Sequence, residues 1–136
     1  MKLFQKMLLI SMVVVSMYSC KKDNDDEPQD SPAGYWKGFY GNGTNPATQN
    51  YSWLFRENGT LRVYSQSADT TAGSKAEGTY SVNGSTIKTS YTYISGAISG
   101  SFSTTASTPD DFETMSGTYG SGSATTGGGT FILTRQ

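Results

Sequence analysis

Cys20 is the chain's single thiol, and no histidine occurs among its 136 residues. Those two facts bound the chemistry at once. Without imidazole there is no Ser-His-Asp triad, no Cys–His pair and no ordinary proton carrier near neutral pH. Zinc and copper sites lose their usual nitrogen and sulfur ligands for the same reason. Six carboxylates remain in the C-terminal hundred residues: Glu57, Asp69, Glu77, Asp110, Asp111 and Glu113. Paired carboxylates can hydrolyse glycosides, but each of these six is expected beside a turn or loop, as ordinary exposed charge. Asp110-Asp111-x-Glu113 offers oxygen ligands for calcium. The run Asp23 to Glu27 has the charge of a calcium loop but lacks its glycine at the sixth position and its distal bidentate Glu. Ser74-x-x-Glu77 has no lysine to activate the serine, and no Gly-Lys-Ser/Thr follows the glycines of Gly117 to Gly129, so a phosphate loop is not formed. The expectation is a protein that is not an enzyme and holds no cofactor or metal.

Cys20 therefore takes its meaning from its neighbours. Lys2 and Lys6 precede an apolar run from Met7 to Tyr18, which ends in the small residue Ser19. The run is shorter than the ~20 residues that cross a bilayer, and it has the length of a secretory signal core. A lone cysteine in an exported protein has no disulfide partner. This order predicts a signal peptide over residues 1–19, a tether over 20–33 that is rich in charge and carries Pro28 and Pro32, and one folded body over 34–136. Met17-Tyr18-Ser19-Cys20 resembles the lipobox of bacterial lipoproteins, and Ser19-Cys20-Lys21-Lys22-Asp23 is similar to lipoproteins of the Bacteroidota type. The resemblance implies a multiply acylated Cys20 and a membrane as partner, with an outer-membrane address. Lys21-Lys22-Asp23-Asn24-Asp25-Asp26-Glu27 resembles the export signal that sends such lipoproteins to the cell surface. Display on the periplasmic face is the alternative. An ordinary cleaved signal and a merely solvated tether are the plainer readings of the same residues.

The body is electrically neutral, with six basic and six acidic side chains, so the chain's net charge of −1 arises outside it. No basic footprint for nucleic acid exists, and nucleic-acid binding is not expected. Nine Val, Ile and Leu residues stand against fifteen aromatics. Each ring can bury roughly 150–250 Å², so aromatics must supply much of the core. The abundance of Ser, Thr and Gly, with no long run of helix formers, favours strands. Period-two alternation marks eight of them: Tyr35–Tyr40, Tyr51–Arg56, Thr60–Gln66, Glu77–Val82, Ser85–Tyr93, a sixth marked by Ile98, Gly100 and Phe102, Phe112–Tyr119, and Thr130–Thr134. Residues Asp69 to Ala76 read as a polar loop. Asn58-Gly59 and Asn83-Gly84 carry the signature of tight type I′ hairpin turns.

Eight hairpin-linked strands predict an antiparallel meander that hides its edges by closing into an up-and-down barrel. A two-sheet sandwich is the alternative. Gly34-Tyr35-Trp36-Lys37-Gly38, Phe55-x-x-x-Gly59-Thr60-Leu61, Gly78-Thr79-Tyr80-Ser81-Val82 and Gly129-Thr130-Phe131-Ile132-Leu133 resemble small lipocalin-like lipoprotein domains. The likeness implies fold more than function. An eight-stranded barrel either fills with side chains or holds one small ligand. Trp53, Phe55, Tyr80, Tyr91 and Phe102 are the candidate ligand-binding residues if they point inward, and simple core if they pack. Thr89, Gly100 and Ser116 at inward positions would leave room for a small apolar or amphipathic ligand. Tyr35, Trp36, Tyr40, Tyr64 and Tyr93, if exposed, could stack on a glycan. The expectation is a lipid-anchored, non-catalytic binding module. The alternative is a surface interaction or structural lipoprotein with a filled barrel, contacting protein or glycan through its loops. Asp69-Thr70-Thr71 additionally resembles an O-glycosylation signal of exported Bacteroidota proteins, and the triplets at Asn42, Asn58 and Asn83 fit N-glycosylation by pattern.

Overall fold

Alternating aromatic and polar residues form eight strands, β1 Gly34–Asn42, β2 Gln49–Phe55, β3 Thr60–Ser65, β4 Ser74–Asn83, β5 Thr86–Ser95, β6 Ser101–Ser107, β7 Thr114–Ser121 and β8 Gly129–Arg135. They belong to a computed structural model that describes residues 31–109 and 111–136. The expected signal, Cys20 with the residues that resemble a lipobox, and most of the expected tether lie outside the described residues, as does Asp110. Each strand pairs antiparallel with the next, and β8 returns to β1. That last ladder, from Trp36↔Arg135 to Asn42↔Gly129, closes the barrel and removes the sandwich alternative. All the ladders run within residues 34–135, so the barrel closes from this segment alone.

Period-two alternation sets the inner face. Trp36 and Tyr40 of β1, Tyr51, Trp53 and Phe55 of β2, and Leu61 and Val63 of β3 are buried, as are Ile87 and Tyr91 of β5 and Phe131 and Leu133 of β8. Where two strands press together, the inner position carries glycine. A Cβ on Gly78 would lie 2.0 Å from the Ser90 carbonyl oxygen, and one on Gly117 would lie 2.2 Å from that of Thr105. The missing side chains let β4 coil against β5 and β7 against β6.

Several boundaries differ from the sequence reading. Gly59 donates its N–H to the Arg56 carbonyl (3.1 Å) and alone in that turn has a positive φ, of 80°. That geometry is a type I turn followed by a left-handed glycine, not type I′. The Asn58 side chain accepts from the Thr60 N–H and hydroxyl, which holds the turn in this form. The second hairpin is centred on Gly84-Ser85, with positive φ at Gly84 only, the type II′ pattern. β4 begins at Ser74, inside the expected loop, because Ser74 and Lys75 continue the ladder with Ser65 and Tyr64. Ile98 and Gly100 fall in the β5–β6 loop, and Phe112 precedes β7 with a φ of 51° and a buried ring. Ser116 and Gly100 are exposed, and Thr89 is buried against Thr104, their hydroxyls 2.8 Å apart. Among the described residues no helix is long and apolar enough to cross a membrane.

The two barrel ends differ. At one, Pro32 is fully buried, and the Trp36 indole donates to its carbonyl at 2.8 Å. Arg135 donates to the Ser31 and Ala33 carbonyls beside it. Phe55 and Tyr80 meet edge to face at 4.9 Å, and the Tyr80 hydroxyl donates to the Arg56 carbonyl. This end is plugged. The opposite end carries the loops 43–48, 66–73, 96–100 and 122–128.

Candidate functional site

The open end holds a cavity of about 230 Å³. The rings facing it come from strands that meet there: Tyr40 of β1, Tyr51 of β2, Tyr91 and Tyr93 of β5, Phe102 of β6 and Tyr119 of β7. Asn42, Gln49, Ser65 and Gln66 add polar groups near the rim, and Ile98 closes one side from the β5–β6 loop. Each ring is placed by the same rule. Strand alternation points it inward, and its position along the strand, toward the end with longer loops, puts it at the mouth rather than in the plug.

Polar contacts order the wall. The Tyr51 and Tyr91 hydroxyls lie 2.5 Å apart, and the Tyr93 hydroxyl bonds to Ser65. Tyr119 donates to Asn42 Oδ1 at 2.7 Å. The rings lock one another as well: Tyr91 stacks on Phe102 at 6.1 Å, and Tyr93 meets Phe102 edge-on at 5.7 Å. Among the described residues, no Asp, Glu, Lys or Arg lines this cavity. Burial raises the pKa of Tyr51 and Tyr91 well above the ordinary phenol value, and it pushes Tyr93 up to about 12. The wall is therefore uncharged at any physiological pH. Its rings offer apolar faces, and its hydroxyls and amides offer hydrogen bonds, a combination suited to holding and orienting a small neutral molecule.

Of the five residues singled out by sequence, Tyr91 and Phe102 reach the cavity. Trp53 is fully buried, in contact with Tyr51, Phe55, Tyr91 and Phe131. Phe55 and Tyr80 belong to the plugged end. Trp36 and Tyr40 are buried rather than exposed for stacking, because the inward face of β1 carries both. Tyr51, Ser65, Gln66 and Tyr119 are site residues that sequence reasoning misses. The signal that finds them is the asymmetry of loop lengths: with one exception, the plugged end has shorter connections, so inward residues next to the longer loops mark the open end.

The carboxylates do not gather. Glu77 lies within β4, not beside a turn, and bridges Arg56 (3.1 Å) and Arg62. Asp69 caps its own loop by accepting from the Thr71 N–H and hydroxyl at 2.8 Å, within the Asp69-Thr70-Thr71 triplet. Asp111 accepts from the Glu113 N–H. Among the described residues no three His, Cys, Asp or Glu side chains converge as a metal site would require. Compared with family models, curated proteins and solved structures, the chain finds no match in any of the three.

Proposed function

We propose that this chain is a lipid-anchored, non-catalytic binding module of lipocalin-like type, which holds one small amphipathic molecule in the open end of its barrel. The observation that carries the reading is the cavity: about 230 Å³, walled by aromatic rings and free of charged side chains. Its size lies below the 300–1,000 Å³ of drug-sized sites, which suits a single-ring ligand. The absence of histidine throughout the chain, with its one cysteine assigned to lipid, supports a role without catalysis.

Anchoring at Cys20 rests on its signal-like context. The described chain enters at Ser31 and Pro32, at the plugged end. Residues 20–30 can extend at most ~3.3–3.6 Å each, which limits how far the barrel can stand from an outer membrane. Surface display is the preferred side, on the strength of the Lys-plus-acidic tether. Two measurements test the proposal. Mass spectrometry of the mature protein should find an acylated Cys20, and Cys20→Ala should release the protein from the membrane fraction. Extraction of the purified protein followed by mass spectrometry should recover a small neutral compound. An unmodified Cys20 would refute the anchor, and a cavity that takes up no small molecule would refute the binding role.

A further inference from the structure

Each hydroxyl pair in the cavity wall leaves one proton without an acceptor inside the pair. Tyr51 and Tyr91 share one bond between two hydroxyls, so one proton of the pair has no acceptor within it. The Trp53 indole N–H, wholly buried, has no hydrogen-bond partner among the described residues. Either hydroxyl can be the donor within the Tyr51–Tyr91 pair, and both side chains line the cavity, so the spare proton is open to a molecule held there.

The rim has the same imbalance. Ser74 Oγ accepts from the Ile98 N–H and so donates to Gln66 Oε1, which leaves the Gln66 amide hydrogens free. Asn42 Oδ1 is occupied by Tyr119, and Ser65 with Tyr93 again has two protons for one bond. Buried donors without acceptors are costly, so a molecule that displaces water from this wall must bring acceptors. Among the described residues no cation lines the cavity to balance an anion, and a buried unpaired charge is costlier still. Each hydroxyl of a sugar would accept from this wall but bring a further proton of its own to it. At ~30 Å³ per water-sized group, the cavity holds on the order of eight such groups, enough for one ring and a small substituent.

We propose that the open end of the barrel takes a small uncharged ring compound with a carbonyl-type acceptor, whose oxygen receives the spare proton of the Tyr51–Tyr91 hydroxyl pair while its ring lies against Phe102 and Tyr93. This inference rests on the cavity being a binding site. Calorimetric titration of the soluble segment 21–136, which contains the complete barrel, uses four probes: acetophenone, ethylbenzene, benzoate and a neutral hexose. Acetophenone should bind at least tenfold more tightly than the other three. The double variant Tyr51→Phe/Tyr91→Phe should lose about tenfold for acetophenone and leave ethylbenzene unchanged. Tyr35→Phe, outside the cavity lining, should stay within threefold for both. Ethylbenzene, benzoate or the hexose binding as well as acetophenone would overturn the acceptor inference while leaving the cavity a site. Equal losses for both probes in the double variant would do the same, since they would indicate lost packing rather than a lost donor. No binding of any probe would overturn the binding reading itself.

Discussion

Glu77 is held between Arg56 and Arg62 on the outer face of the barrel, with about a third of its side chain exposed. Burial is the largest single influence and pushes its pKa up, but the two guanidinium groups together outweigh it and hold the carboxyl below 4.5. A depressed folded pKa contributes stability above the unfolded value, and that contribution is lost as pH falls through the folded one. Partly exposed ion pairs are individually weak, so Glu77→Gln should cost about 1 kcal/mol at pH 7. In urea unfolding, the gap between variant and parent should narrow progressively below pH 4.5; a gap that persists in acid would rule out the charge pair as its source. The site's inward positions were legible at this scale: Tyr51, Trp53 and Phe55 share a face, as do Tyr91 and Tyr93. The pairing of Tyr51 with Tyr91 was not. They stand 40 positions apart, on strands that are not neighbours, and only closure of the barrel brings their hydroxyls together.

Gly78 marks the place where β4 and β5 approach too closely for a side chain. Backbone atoms crowd it, with the Tyr91 Cα only 2.6 Å from where a Cβ would sit, and backbone cannot swing aside. Gly78→Ala should therefore destabilise the barrel by roughly 2–3 kcal/mol or more, read as a lowered denaturant midpoint. A change under about 0.5 kcal/mol, the usual range for an innocuous surface substitution, would show that the ladder relaxes at little cost. Strand number and order were readable from alternation and turn residues, because a half-buried strand must alternate and a hairpin must turn. The ends were less readable. Ser74 and Lys75 look like loop residues by composition, yet their backbone hydrogen bonds extend the β3–β4 ladder. Ile98 looks like a strand residue, but it turns inward from a loop, where its N–H bonds to Ser74 Oγ. Asn58 keeps an ordinary φ because its side chain already accepts from Thr60, and the left-handed turn falls on Gly59 alone.

At the scale of the whole molecule, one barrel does two jobs along its axis: the end where the chain enters is packed solid, and the far end is open, aromatic and neutral. Several of the open end's tyrosines are raised by burial, Tyr93 to about 12. A raised folded pKa contributes stability that is complete below the unfolded value near 10 and is lost as pH rises through the folded value. Stability should therefore be level across neutral pH and decline from about pH 10, with phenolate absorbance appearing together with loss of the fold. Ionisation of every tyrosine near pH 10 with the fold intact would contradict the buried hydroxyl network. The central claim, that the open end is the binding site, is tested most directly by amide NMR of the labelled 21–136 segment during titration with acetophenone. Shifts should concentrate at Tyr40, Ser65, Tyr91, Tyr93, Phe102 and Tyr119. Shifts centred on Phe55 and Tyr80 at the plugged end, or on the exposed outer pair Phe39 and Ile132, would contradict it.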